Sequence, residues 1–343
     1  MSEMENGAIL KLAQACFTNH PTIVLGSGAS MDHGLPSMTT LQQHLTSSLK
    51  AVDSEEVDAW TLVRTALANG DHLEQAMTGK TLPKSLTKKI VEETWKCVNQ
   101  ADHALFLRAV SHTEKFPLGR LVQGLSVSSN PVIDIVTSNY DRVAEYACNA
   151  HGLLYSSGFT PGYLQMREGS DLISFQRGNN RPKTVRIWKV HGSLDWFARA
   201  DGEAFSAPVF EIPGAEATPL IVTPGLYKFE QTQYEPFRSI MTGADAAFAR
   251  ATAFICIGFG FRDTHLEPKL FQRCRTGNIP VAVIARTLTD EAKTFLKTRA
   301  GTKYIGLEKT QTGTRVYTAE TPDGIDIAEP DGWTLNGFLK MAT

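Results

Sequence analysis

The chain is poor in the features that would assign it quickly. Its five cysteines, Cys16, Cys97, Cys148, Cys256 and Cys274, are scattered, odd in number and never form C-x-x-C, which argues against a disulfide framework and a zinc ribbon alike. Free thiols in this pattern fit a reducing compartment, so a cytoplasmic protein is expected. No apolar run approaches the ~20 residues that span a bilayer, and the start, MSEMENGAILKLAQ, is acidic where a signal peptide carries basic residues. No membrane association is therefore expected. A surplus of positive charge is also missing. With 34 basic and 36 acidic residues the net charge is −2, so direct nucleic-acid binding through bulk charge is not expected. There is no internal repeat, low-complexity tract or long linker. What remains is 42% hydrophobic and 20% charged, enough to build a large core over 343 residues. Length alone allows two domains or one elaborated α/β domain.

Periodicity organises the chain. Apolar positions at helical spacing over 5–19 (Ile9, Leu10, Leu12, Ala13, Cys16, Phe17) predict a helix that Pro21 ends. Thr22-Ile-Val-Leu-Gly26 predicts a short buried strand. From Thr39 to Leu125 the pattern is helical, with a capping-box signature at Asp53-Ser-Glu-Glu56 and no convincing strand. Strands are then expected at 132–137, 185–190, 220–222, 253–258 and 280–284, with helices at 141–150, 235–250, 264–275 and 289–299. Strands alternating with helices imply a Rossmann-like, doubly wound, mainly parallel sheet covered on both faces. The expected organisation is one domain over 1–343, with a Rossmann-like core from 22–38 and 126–300 and a helical insertion over 39–125. The stretch from Gly313 onward, with Pro322, Gly324, Pro330 and Gly332, reads as loop-rich.

Four expected strand ends carry polar and glycine residues, where open α/β sheets bind ligands. In Gly26-Ser-Gly-Ala-Ser30 the glycines let backbone approach a phosphate, or simply permit a tight turn. The segment is neither G-x-x-x-x-G-K-S/T nor G-x-G-x-x-G, since Met31 holds the sixth position. In Thr137-Ser-Asn-Tyr-Asp141, Asp141 is either a helix cap or a site residue beside Ser138 and Asn139. His191, in Lys189-Val-His-Gly-Ser193, is placed as a general base near neutral pH or as a structural histidine. In Ile257-Gly-Phe-Gly-Phe-Arg-Asp263, Gly258 and Gly260 let backbone meet a ribose or phosphate, or allow only the turn. Asp263 is read as a helix cap, and His265 as a residue of the first helical turn rather than a ligand.

In this order, GSGAS with Gly34-Leu-Pro36 downstream, TSNYD, KVHGS and IGFGFRD resemble the sirtuin-like (silent-information-regulator) family. They are most similar to its bacterial branch of NAD-hydrolysing antiphage effectors, as is VTPGLYK with Thr223, Pro224 and Lys228. The resemblance covers 22–38 and 132–265, continuing toward 285. It implies an NAD glycohydrolase that releases nicotinamide and ADP-ribose, NAD being substrate and no metal being required. The catalytic residues it implies are Asn139, Asp141 and His191. The NAD-binding residues it implies are Gly26, Ser27, Gly28, Ala29, Ser30, Gly34, Pro36, Ser138, Gly258, Phe259 and Gly260. Departures separate the chain from protein-deacylase sirtuins: Ser138 replaces a glutamine, Ser37-Met38-Thr39 replaces Asp-Phe-Arg, and both C-x-x-C pairs are missing. The alternatives are an NAD-dependent deacylase and a non-catalytic NAD or ADP-ribose sensor subunit. Because the fold and its insertion occupy nearly all 343 residues, the expected gate is homo-oligomerisation or a separate activator. That activator would be a nucleotide-processing enzyme, a ring ATPase or a nucleic-acid sensor. The segment 40–125 is the candidate assembly surface or a lid.

Overall fold

The computed structural model describes residues 3–127, 132–167, 183–214, 216–223, 225 and 234–343. Helix α1 (Glu3–Thr18) leads into β1 (Thr22–Leu25), whose four residues are all buried. A four-residue turn of helix, α2 (Gly28–Met31), follows, and then α3 (Met38–Ser48), α4 (Ser54–Ala68), α5 (Leu73–Met77), the long α6 (Lys84–Val110) and α7 (Pro117–Ser126). Asp53 caps α4 by accepting from the Glu56 N–H at 2.8 Å, while the Glu56 carboxylate reaches back to the Val52 N–H at 2.9 Å. The signature at 53–56 thus closes one residue earlier than an ideal capping box.

The chain returns to the sheet with β2 (Val132–Thr137), α8 (Val143–Ala150), β3 (Leu154–Ser156) and β5 (Thr184–Lys189), after a short β4 (Gln165–Met166). Next come β6 (Gly192–Ala198), β7 (Ala204–Ser206) and β8 (Thr218–Ile221). Alternating elements complete the chain: α9 (Phe237–Arg250), β9 (Phe254–Ile257), α10 (Glu267–Gly277), β10 (Val281–Ala285), α11 (Asp290–Thr298) and β11 (Tyr304–Lys309). The last elements are β12 (Thr314–Tyr317), β13 (Ile325–Ile327) and α12 (Leu335–Ala342).

The main sheet runs β13-β12-β11-β10-β9-β1-β2-β5-β3. All pairings from β11 to β3 are parallel, and only the β11–β12 and β12–β13 pairings, at one edge, are antiparallel. The fold is therefore the doubly wound, mainly parallel α/β class. The chain winds outward from β1 through β2 and β5, then restarts on β1's other side with β9, β10 and β11. The order reverses between β1 and β9, which opens a crevice at their carboxyl ends. One sheet face packs against α1, α7, α8 and α12, through Ile9, Cys16, Leu121, Ala147 and Phe338. The other packs against α9, α10 and α11, through Phe248, Leu270 and Phe295. Residues from Leu41 to Ile90 form a cluster of their own, built by α3, α4, α5 and the first half of α6.

Three regions depart from the sequence reading. The stretch from Gly313 is not merely loop-rich: β12, β13 and α12 order it, with Gly306 opposite Tyr317 and Thr314 opposite Ile327. β11 was not expected, because Gly306 breaks its pattern. A Cβ at Gly306 would lie 2.6 Å from Leu296 Cδ1, so the glycine lets α11 sit close on the strand. Leu220–Val222 does not extend the parallel sheet. Its strand, β8, belongs to a second antiparallel sheet, β4-β7-β6-β8.

Candidate active site

The crevice is framed by the loops that leave β1 and β9, and their glycines interlock. A Cβ on Gly26 would sit 2.4 Å from the Gly258 carbonyl oxygen, and one on Gly258 would sit 2.2 Å from the Ala29 nitrogen. Gly258 also has φ +57°, a conformation glycine adopts without strain. The Gly28 N–H donates to Gly258 O at 3.1 Å, Gly26 N–H to Ile257 O, Ala29 N–H to Gly26 O, and Ser30 N–H to Ser27 O. Ser27 keeps the one loop N–H without a hydrogen-bond partner among the described residues. The glycines are thus first a contact between two site loops.

Asn139 ties that contact to β2. The Asn139 N–H donates to Thr137 Oγ1 at 3.0 Å, and Thr137 donates to Leu25 O at 3.1 Å. Its side-chain Nδ2 donates to Gly26 O at 2.9 Å and to Ser30 Oγ at 3.1 Å. Asp141 acts partly as the cap the sequence allowed, accepting from the Val143 N–H at 3.1 Å. It also takes a hydrogen bond from the Ser30 hydroxyl. Burial pushes its carboxyl pKa above the usual range, with Asp102 adding and Lys189 opposing. Ser30 therefore joins Asn139 and Asp141, and Ser138 lies half-buried beside them.

Beneath these groups lie buried charges that sequence reasoning missed. Lys189, 0% exposed, donates to the Asp141 carbonyl and to Glu145 Oε1 at 2.9 Å. The Glu145 carboxyl is also raised by burial. Arg142 pairs with Asp102 at 2.7 Å, while the Arg142 N–H and the Tyr146 hydroxyl donate to the same carboxylate. Lys189 falls in phase with the buried Val185 and Ile187 on β5, so the alternation puts it on the core face, but its charge alone does not tell which partners would satisfy it there. These pairs fix the start of α8, and with it Asp141.

His191 follows β5 in a position set by register. Thr137 pairs with Lys189, so Asn139 and His191 each lie two residues beyond a paired position on neighbouring strands. The Val190 N–H donates to Thr137 O at 3.0 Å, and the Val222 N–H to His191 O at 2.8 Å. At Gly192, φ is +88° and a Cβ would be 1.9 Å from Leu220 O, so only glycine lets the chain turn into the second sheet here. His191 is 5% exposed, and its Nε2 lies 3.2 Å from Asp263 Oδ2.

Asp263 is the cap the sequence proposed: its Oδ1 accepts from the His265 N–H, and its carbonyl from the Leu266 and Glu267 N–H groups. Its second oxygen gives it the contact with His191. Glu267, four residues on, has its carboxyl pushed up to about 7, first by burial and then by Asp263 and Glu291. Its Oε1 is buried with no hydrogen-bond partner among the described residues.

Other expected site residues lie differently. Phe259 turns its ring into the core, 4.9 Å from that of Phe261, so only its backbone can border the crevice. Gly260 O accepts from Thr289 Oγ1 at 2.6 Å. Gly34 and Pro36 lie beyond α2, where Arg108 Nη2 donates to His33 O at 2.7 Å and ties this turn to α6. Thr223 is buried, whereas Pro224 and Lys228 lie outside the described residues. Among the described residues no three His, Cys, Asp or Glu side chains gather as metal ligands, and no helix is long and apolar enough to cross a membrane.

No curated protein matches the chain in sequence. Among solved structures, a Sir2 homolog–NAD complex is similar at 15% identity and a TM-score of 0.43, over 97% of this chain and 93% of that one. A structure described as a basis for the mechanism and regulation of Sir2 enzymes is similar at 15% identity and a TM-score of 0.43, over 83% and 88%. Residues 134–297, which carry Asn139, Asp141, His191 and Asp263, match the family model described as a SIR2-like domain.

Proposed function

We propose that the protein is an NAD glycohydrolase, cleaving NAD to nicotinamide and ADP-ribose, and that it serves as the NAD-depleting effector of a bacterial antiphage system. The observation that carries the reading is that Asn139 and His191 lie each two residues beyond the last paired residues of the neighbouring parallel strands β2 and β5, with Asn139 bonded to the β1 loop at the switch point. Binding alone needs no base at this position. The SIR2-like match over 134–297 supports the same substrate class.

In this reading NAD lies across the β1 and β9 loops, with Gly26–Ser30 at the pyrophosphate and the backbone of Gly258–Gly260 at the adenosine ribose. Nicotinamide leaves as a neutral molecule with the electron pair of its bond to C1′, so no general acid is needed. The ribosyl centre is oxocarbenium-like as it leaves. Asn139 positions the ribose or the attacking water, and Asp141 holds the Ser30 side of that arrangement. His191 takes the proton as water adds to C1′. Such a base is worth about 10²–10⁴-fold in rate.

Activity in a cell requires a gate, and we place it in self-assembly or in a separate activator, with 40–125 as the contacting surface. Incubating the purified protein with NAD, alone and with an acylated peptide, separates the readings. Release of free ADP-ribose without peptide is expected. Release that depends on peptide would make it a deacylase, and tight binding without turnover, in every assembly state resolved by light scattering, would make it a sensor.

A further inference from the structure

The segment after β10 wraps the β9 loop. At one end the Gly258 N–H donates to Ile284 O at 2.8 Å, and at the other Thr289 Oγ1 donates to Gly260 O at 2.6 Å. Arg286 lies between these two ties, exposed and one residue beyond the strand. Its guanidinium carbon is 5.8 Å from the centre of the Trp333 ring, and Lys309 Nζ is 5.2 Å from the same ring. The Lys309 N–H donates to Arg286 O at 3.1 Å, so the two cations come from touching strand ends. We propose that Arg286 and Lys309 bind the 2′-phosphate of a phosphorylated dinucleotide, so that NADP is taken in preference to NAD. The placement of the adenosine ribose at Gly258–Gly260 rests on the hydrolase reading; the two cations at Trp333 stand on the geometry alone.

The charges around these residues favour a phosphate. Doubly wound sites that select NAD set a carboxylate to accept from the ribose 2′-hydroxyl, whereas an arginine nearby accommodates a 2′-phosphate. Here β10 runs out into Ala285-Arg286-Thr287. The carboxylate at the end of β11, Glu308, is 8% exposed and already engaged. It accepts from the Leu288 N–H at 3.0 Å and the Tyr317 hydroxyl at 2.7 Å, and pairs with Lys293 at 3.2 Å. In the first turn of α11, Glu291 pairs with Arg262 at 3.0 Å, and Asp290 beside it is exposed. Asp32, at the end of α2, lies 3.8 Å from Arg286 Nη2. Both of those side chains are more than half exposed, so the contact is weak and yields to a dianion. Lys309 pairs with no carboxylate among the described residues. Trp333 positions the two cations. Its indole N–H donates to Pro330 O at 3.2 Å and its backbone N–H to Thr314 Oγ1 at 3.1 Å, which fixes the ring against the start of β12. An arginine and a lysine already held at one indole ring lose less freedom when a phosphate binds. The chemistry at C1′ is unchanged. Nicotinamide leaves with the electron pair of its bond, water adds to C1′ and gives up a proton, and the phosphate stays on the product, 2′-phospho-ADP-ribose.

Calorimetry on the full chain with 2′-phospho-ADP-ribose and with ADP-ribose tests the site without turnover. The phosphorylated ligand should bind about tenfold tighter or more, and its affinity should fall more steeply as salt is raised. Equal affinities, a preference for ADP-ribose, or no binding of either would overturn the proposal. Arg286→Ala and Lys309→Ala change exposed side chains, and each should lower the ratio of the two affinities about threefold or more. A loss shared equally by both ligands would contradict a phosphate site. Arg286→Asp should reverse the preference, and a preference kept in that variant would overturn the proposal. In turnover, with nicotinamide followed by chromatography, wild-type kcat/KM should be about tenfold or more higher for NADP than for NAD, and equal values would count against the proposal. If wild-type protein leaves both dinucleotides intact, the hydrolase reading fails, and the affinities of the two ADP-ribose ligands still decide the phosphate site.

Discussion

Replacing Lys189 with methionine tests whether a buried charge holds the site loops in place. The ammonium is 0% exposed and donates to the Asp141 carbonyl and to Glu145 Oε1 at 2.9 Å. Methionine fills most of the volume but leaves Glu145 buried without its cation. Breaking a buried pair from one side costs about 3–5 kcal/mol when the remaining group stays charged. Glu145 can escape part of that by taking a proton, because burial already raises its pKa and loss of Lys189 raises it further. A carboxyl with a raised folded pKa binds more protons folded than unfolded. Its stability is greatest below the unfolded pKa of about 4.3 and falls as pH rises through the folded value. The loss in Lys189→Met should therefore be about 1–2 kcal/mol near pH 5, mainly the lost hydrogen bonds, and about 3–5 kcal/mol near pH 8. Urea unfolding followed by tryptophan fluorescence measures both. Adding Glu145→Gln should flatten the pH dependence. A loss below 1 kcal/mol at pH 8, or an equal loss at both pH values, would refute the reasoning.

Other outcomes follow from the same contacts. Gly258→Ala puts a Cβ 2.2 Å from the Ala29 nitrogen at φ +57°; it should destabilise by about 2–4 kcal/mol and cut NAD cleavage more than any change in the α4 surface, as thermal melts and product assays would show. Asn139→Ala removes the bonds to Gly26 O and Ser30 Oγ; it should cost about 1–2 kcal/mol of stability, with a much larger loss of kcat. Glu267→Gln should stabilise the protein at pH 8 and leave it nearly unchanged at about pH 3, because a carboxyl raised to about 7 opposes folding increasingly as pH rises from the unfolded value of about 4.3 to the folded one; melts at the two pH values check the sign.

Much of the central sheet was legible in the sequence. The β-branched runs at β1, β2, β9 and β10 are buried on both faces, so they read as unbroken apolar segments. The strand ends carried the site segments, and β2–β5 register sets Asn139 and His191 each two residues beyond the paired Thr137 and Lys189. Of the small sheet only β8 was read, as a strand at 220–222; β4 and β7 have two and three residues, and β4–β7 pairs segments far apart in sequence, Gln165 with Ser206. β11 was hidden by Gly306, a residue present for helix contact rather than for turning. Within the site, Lys189 drew no reading of its own and Asp263 looked like a cap alone. Their partners, Glu145 and His191, are distant in sequence and meet them only in the fold. The glycines of the β1 loop suggested phosphate, yet each meets the backbone of the β9 loop, a contact only the fold reveals.

The central claim is that His191 serves NAD cleavage in this crevice. Purified wild-type and His191→Ala proteins, matched by circular dichroism and by light scattering in their assembled state, should be incubated with NAD and the nicotinamide followed by chromatography. The account predicts nicotinamide and ADP-ribose in equal amounts from wild type, and a rate about 10²-fold or more lower from the variant. Equal rates from the two proteins would contradict it.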